Sequence, residues 1–268
     1  MNRRWLILVL SVATSVSAEC PAAGLEVSPL PGKVASRPWI VLGLQGQLAN
    51  EVVIDQLVLR RGPTRIKLQL VSTAWGANWR QEVITPAEAL AAGRWTLEAL
   101  PDGPVARAVS DHLRLAEFEV TGADRVPVLV SARLLGARSN QAGCGSDARA
   151  EVLVETDEPS AMVEVTLTAT AYTTTVVLPL ESRPLAGPLQ GHESVIGIGF
   201  ELCGGPVSLP PDTTFTATLT PLSTAGRRGA PHVVIFSTPA GEPGPRSFVD
   251  TVRAFELLGP STATLPSR

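Results

Sequence analysis

Between Val163 and Tyr172 the chain alternates strictly. Val163, Val165, Leu167, Ala169 and Ala171 are apolar, and Glu164, Thr166, Thr168 and Thr170 are polar. An extended strand sends successive side chains to opposite faces, so such a segment buries one face and wets the other. A helix would scatter the same residues around its axis. Ile66-Lys-Leu-Gln-Leu70 repeats the pattern, and further strand candidates fall at 52–59, 113–120, 128–134, 151–155, 174–178, 194–203, 215–222 and 232–237.

Short turns rich in Gly, Pro, Asp and Ser separate these runs. Many short strands with such spacing build a sandwich or barrel, not alternating β/α units. The one helix-like stretch, Pro86 to Ala92, stops at Gly93 and allows one or two turns at most. The chain is therefore predicted to be all-β.

The first residues carry a different signal. Asn2-Arg3-Arg4 is a positive start, Trp5 to Val12 is apolar, and Val16 and Ala18 stand at −3 and −1 of a small-residue cleavage site. The apolar run is too short to span a bilayer, so residues 1–18 read as a secretory signal peptide. Glu19 precedes Cys20, which argues against a lipid anchor there. No later stretch has the length of a transmembrane segment, and the expected location is periplasmic or extracellular. The net charge of −3 becomes more acidic once Arg3 and Arg4 leave with the leader. That balance does not suit phosphate neutralisation, so no nucleic-acid partner is expected. Lysine occurs only at Lys33 and Lys67, and this arginine bias points to a GC-rich, bacterial genome.

Composition also divides the chain. All five tryptophans precede residue 96 and all six phenylalanines follow residue 117. The polar stretch Thr121 to Pro127 separates two candidate domains, 24–121 and 127–256, and a small polar tail over 259–268 is expected to be disordered.

Leu209-Pro-Pro-Asp-Thr-Thr-Phe215-Thr-Ala-Thr-Leu219 resembles the corner before the penultimate strand of a fibronectin type III domain. Ser223-Thr-Ala-Gly226 and His232 to Pro239 are similar to that family's last turn and final strand. Phe215 stands where the family carries a tyrosine. In the first half, Ile84-Thr-Pro86 with Leu90-Ala-Ala-Gly93-Arg-Trp95 resembles bacterial immunoglobulin-like domains of secreted and surface proteins. The resemblance implies two immunoglobulin-like, fibronectin type III-like β-sandwiches in tandem. It implies no particular activity, because such sandwiches host many unrelated roles.

Export would place the thiols where pairing is the default. Cys144 and Cys203 share the second candidate domain and are the expected disulfide, contributing about 4 kcal/mol in the chain-entropy picture. Cys20 is then left over, or joined to another chain. With no Cys-x-x-Cys and no paired histidines, neither a metal nor a cofactor is expected.

No residue pattern marks a catalytic centre. His112, His192 and His232 are far apart, and His192-Glu193-Ser194 are consecutive, so an extended chain points them in different directions. Gly197-Ile-Gly199 reads as close backbone approach within a strand. One segment stands out: Thr73-Ala-Trp75-Gly-Ala-Asn-Trp79-Arg80. If Trp75 and Trp79 are both exposed, they form an aromatic platform for a sugar or peptide; otherwise they fill the core. The leading expectation is a non-catalytic, exported interaction or structural module whose partner is a protein or glycan of the cell envelope. The alternatives are a carbohydrate-binding accessory protein using Trp75 and Trp79, and a secreted hydrolase with a site assembled from distant residues. Oligomeric state is not encoded in these patterns.

Overall fold

Among the described residues, successive amphipathic segments pair into four sheets. The structure, a computed structural model, describes residues 23–28, 32–76, 79–109, 113–142, 145–157, 162–170, 172–180, 192–199, 207 and 209–240. The whole candidate leader, the tail over 259–268, Cys20, Cys144 and Cys203 lie outside the described residues.

The first half contains β1 (Ala23–Val27), β2 (Lys33–Val34), β3 (Ile40–Gly46), β4 (Leu57–Arg61), β5 (Thr64–Ile66), β6 (Leu68–Gly76), β7 (Trp79–Pro86), β8 (Gly93–Ala99) and β9 (Arg114–Val120). They form the sheets β1-β3-β7-β6 and β2-β9-β8-β4-β5. The second half contains β10 (Leu129–Ala142), β11 (Gly145–Thr156), β12 (Met162–Ala169), β13 (Tyr172–Pro179), β14 (His192–Gly199), β15 (Thr214–Leu222) and β16 (His232–Ser237). Their sheets are β10-β11-β14 and β13-β12-β15-β16. Every described strand pair is antiparallel except β2 with β9.

Each half closes two sheets on one core, in a sandwich-like arrangement. In the first, Ile40, Leu42, Leu44 and Ile84 meet Leu59, Trp95, Leu97 and Phe118. In the second, Val152, Val154 and Ile198 meet Val165, Leu167, Phe215 and Leu219. Phe215 stacks on Phe236 at 5.5 Å and takes Tyr172 edge-on at 6.2 Å. The alternation from Val163 works as its sequence suggests: Val163, Val165 and Leu167 are fully buried, and Thr168 faces water. Each such side chain withdrawn from water contributes about 1.5–3 kcal/mol.

Two local expectations fail. Residues 54–56 form a 3-10 turn, so the expected strand at 52–59 begins only at Leu57. No helix forms over 86–92; Leu90 is instead buried, with its N–H bonded to the Ser36 carbonyl at 2.8 Å. A short helix, α1 (Pro104–Ala108), appears where none was expected. Pro104 suits a first helical turn, and Gln56 Oε1 accepts the Val105 N–H at 3.0 Å.

The halves are interlocked. Val41 and Val83 on the outer face of the first sheet pack with Met162, Val177 and Leu222, and Trp39 leans on the same cluster. The turn after β15 grips Trp39: its N–H bonds the Thr224 carbonyl at 2.8 Å, and Thr224 Oγ1 accepts the Ala35 N–H at 3.0 Å. Gly226 has φ 77°, and a Cβ there would lie 2.1 Å from the Trp39 ring. Only glycine fits both the backbone and the space. The linker is pinned as well. Asp124 accepts from the Ala225 N–H at 3.2 Å and pairs with Arg227 at 2.5 Å, while Arg125 pairs with Asp157 at 2.5 Å.

Candidate functional site

β6 is an edge strand of the first sheet, and its sequence breaks the two-residue period. A bulge lies between Leu70, opposite Ile84, and Ser72, opposite Val83. The extra residue, Val71, resets the phase, so Trp75 falls opposite Arg80, on the same face as Leu70 and Ile84. Without it, Trp75 would point to the other side. The hairpin then pairs Gly76 with Trp79, one step further along, which puts the two indoles on opposite faces. Trp75 is 61% exposed and Trp79 6%. The structure does not bring them together as one exposed surface. Trp79 sits against Gly43, its Nε1 3.6 Å from where a Cβ would be.

What accompanies Trp75 is a pair of charged residues that the sequence reading missed. The Arg80 guanidinium lies 5.1 Å from the Trp75 ring centroid, forms an ion pair with Glu82 at 3.1 Å, and donates to the Glu51 carbonyl. Both side chains are nearly buried, at 7% and 9% exposure. Arg80 Nε and Glu82 Oε2 have no hydrogen-bond partner among the described residues. Burial pushes the Glu82 carboxyl above its ordinary range, and the Arg80 charge offsets this only in part. Opposite charges two apart on one strand were a visible signal, but every residue of β7 is buried, which polar residues there do not announce. Chemically, the arrangement is a stacking surface fixed in place by a cation, which is itself held by a carboxylate.

The other sequence candidates disperse. His192, Glu193 and Ser194 lie on β14 opposite Thr156, Glu155 and Val154, with Ser194 buried. Gly197 and Gly199 mark close approach: a Cβ at Gly199 would come 2.2 Å from the Ala148 carbonyl oxygen. The cysteine pair Cys144 and Cys203 lies outside the described residues. Among the described residues no group of His, Cys, Asp and Glu is arranged to hold a metal ion. None of the described helices is long and apolar enough to cross a membrane.

No known family profile matches the chain, and no curated protein matches it. A solved structure, pullulanase type I from Bacillus subtilis str. 168 complexed with maltose, aligns at 10% identity over 84% of this chain and 28% of its own, with a TM-score of 0.23. This chain thus spans little more than a quarter of that protein. Superposition this loose carries neither a fold assignment nor an activity across. What stands from the geometry is the class: an all-β protein of antiparallel sheets with an aromatic presented at a sheet edge.

Proposed function

We propose that this chain is a non-catalytic, exported interaction module in which two immunoglobulin-like, fibronectin type III-like sandwiches act as scaffold. Residues 1–18 serve as a cleaved leader, and the partner is a protein or glycan of the cell envelope. The observation that carries this reading is Trp75. A large aromatic is held 61% exposed by a guanidinium that is itself nearly buried. Burying an ion pair costs more than leaving it in water, and apolar rings are ordinarily withdrawn from solvent. Exposed Leu70 and Val71 on the same strand widen the surface. A glycan-binding form of this reading rests on Trp75 alone, since Trp79 is buried.

The test is binding of purified neutral envelope glycan and of envelope protein extract to immobilised full-length protein, with the Trp75→Ala variant as comparison. Trp75→Ala is expected to abolish capture with its melting temperature nearly unchanged. Equal capture by both proteins would sink the proposal. Intact mass of the exported protein checks the leader: a chain retaining its first 18 residues would refute cleavage after Ala18.

A further inference from the structure

The second surface lies on the other sheet of the same half. On the outer face of β2-β9-β8-β4-β5, register places Arg60 opposite Thr96, Thr96 opposite Glu117, and Glu98 opposite Arg114. With Arg94, these six line an open groove of about 510 Å³. Arg60 pairs with Glu98 at 3.4 Å, and Arg94 and Arg114 share Glu117 at 3.1 and 3.3 Å. The exposures are layered. Arg94, Arg114 and Arg60 stand 78%, 68% and 46% exposed, above Glu117 at 35% and Glu98 at 23%. Carboxylates form the lower tier and guanidinium groups the upper one. Arg61 adds a further cation at the rim, set over Trp95 and bonded to the Ala92 carbonyl at 2.5 Å.

We infer that this groove binds an acidic polysaccharide. An arginine offers five donors, and two that share one carboxylate keep donors to spare for planar anions. Arg94 on β8 and Arg114 on β9 converge on Glu117, while Arg60 on β4 pairs with Glu98, so the cations gather at two foci. A compact anion meets one focus, whereas a chain with an anionic group on successive sugars meets both. Glu98, Glu117 and the Thr96 hydroxyl accept hydrogen bonds from sugar hydroxyls. A polyphosphate backbone has no such donors and meets those carboxylates as like charges. The lining contains no aromatic ring on which bases would stack. The cationic tier also stands out against a chain whose net charge is −3.

The experiment is affinity electrophoresis and calorimetry of the full-length protein with polygalacturonate, dextran sulfate, neutral dextran and a single-stranded oligonucleotide, at low and moderate salt. Retention by polygalacturonate or dextran sulfate is expected, weakening with salt, with neutral dextran inert. The Arg60→Gln/Arg94→Gln variant should bind at least tenfold more weakly at an unchanged melting temperature. Should it melt lower, Arg114→Gln alone carries the same test. Equal binding of the oligonucleotide, no retention by either acidic glycan, or full retention by the arginine variants would overturn the inference. Trp75→Ala should leave this binding unchanged, so the two surfaces fail or stand separately.

Discussion

The Gln81 side chain reaches across to Val177, 96 residues away, and pairs with its backbone on both sides. Gln81 Nε2 donates to the Val177 carbonyl at 2.6 Å, and the Val177 N–H donates to Gln81 Oε1 at 2.8 Å. β13 is an edge strand, so one amide does there what a neighbouring strand would do. Gln81→Leu removes both partners and leaves two buried backbone groups unpaired. The expected loss is about 2–4 kcal/mol, read as a lower urea midpoint. A midpoint within experimental error of the parent would show that the pairing is dispensable.

Gly226→Ala is expected to separate the halves. The methyl group falls on the Trp39 ring, and the left-handed backbone disfavours any side chain. A loss of about 2–3 kcal/mol follows, with a melting temperature several degrees lower. The indole emission of Trp39, isolated by subtracting a Trp39→Phe spectrum, should shift to longer wavelength.

Removing one member of the Arg80–Glu82 pair strands the other. Glu82→Ala should cost about 3 kcal/mol, whereas Arg80→Met/Glu82→Leu should be close to neutral, because a packed apolar pair avoids the desolvation penalty. In the double variant Trp75 loses its cation, so ligand capture should fall while the fold persists. A double variant less stable than Glu82→Ala would contradict this account.

Two carboxylates give opposite pH dependence. Burial raises the Asp124 pKa, but hydrogen bonds from Ser223, Arg227 and Ala225, with the Arg227 charge, outweigh it and hold the carboxyl below its ordinary range. Its contribution is therefore complete above about pH 3.9 and is lost as pH falls through the lowered native value. Glu82 is raised, so its contribution is present below about pH 4.3 and lost as pH rises through the native value. Urea midpoints from pH 3 to 7 should show Asp124→Asn flattening the acid limb and Glu82→Gln flattening the decline above it. Parallel curves for Asp124→Asn and parent would refute the first assignment.

Alternation made strands such as β12 and β15 readable, because one face of each meets a core and the other meets water or polar neighbours. β7 was not readable in that way. Its faces look into two different packed regions, so Arg80, Gln81 and Glu82 are buried without an apolar pattern to mark them. The position of Trp75 depended on the bulge at Val71, a single extra residue that inverts every following side chain on β6. The pairing of Asp124 with Arg227 spans 103 residues and carries no local signature. The arginines at 60, 94 and 114 become a groove only once β4, β8 and β9 are in register.

The turn from Leu222 to Arg228 closes over Trp39 and Asp124 from the far end of the chain. A ribosome releases the first half well before that turn exists, and domains generally fold in order of emergence. During that interval Val41, Val83 and Trp39 have nothing to cover them, and the first sandwich carries a sticky outer face. The nascent chain is therefore most exposed to misassociation not before its first core forms but afterwards, until β15 and the turn that follows it arrive and fasten it.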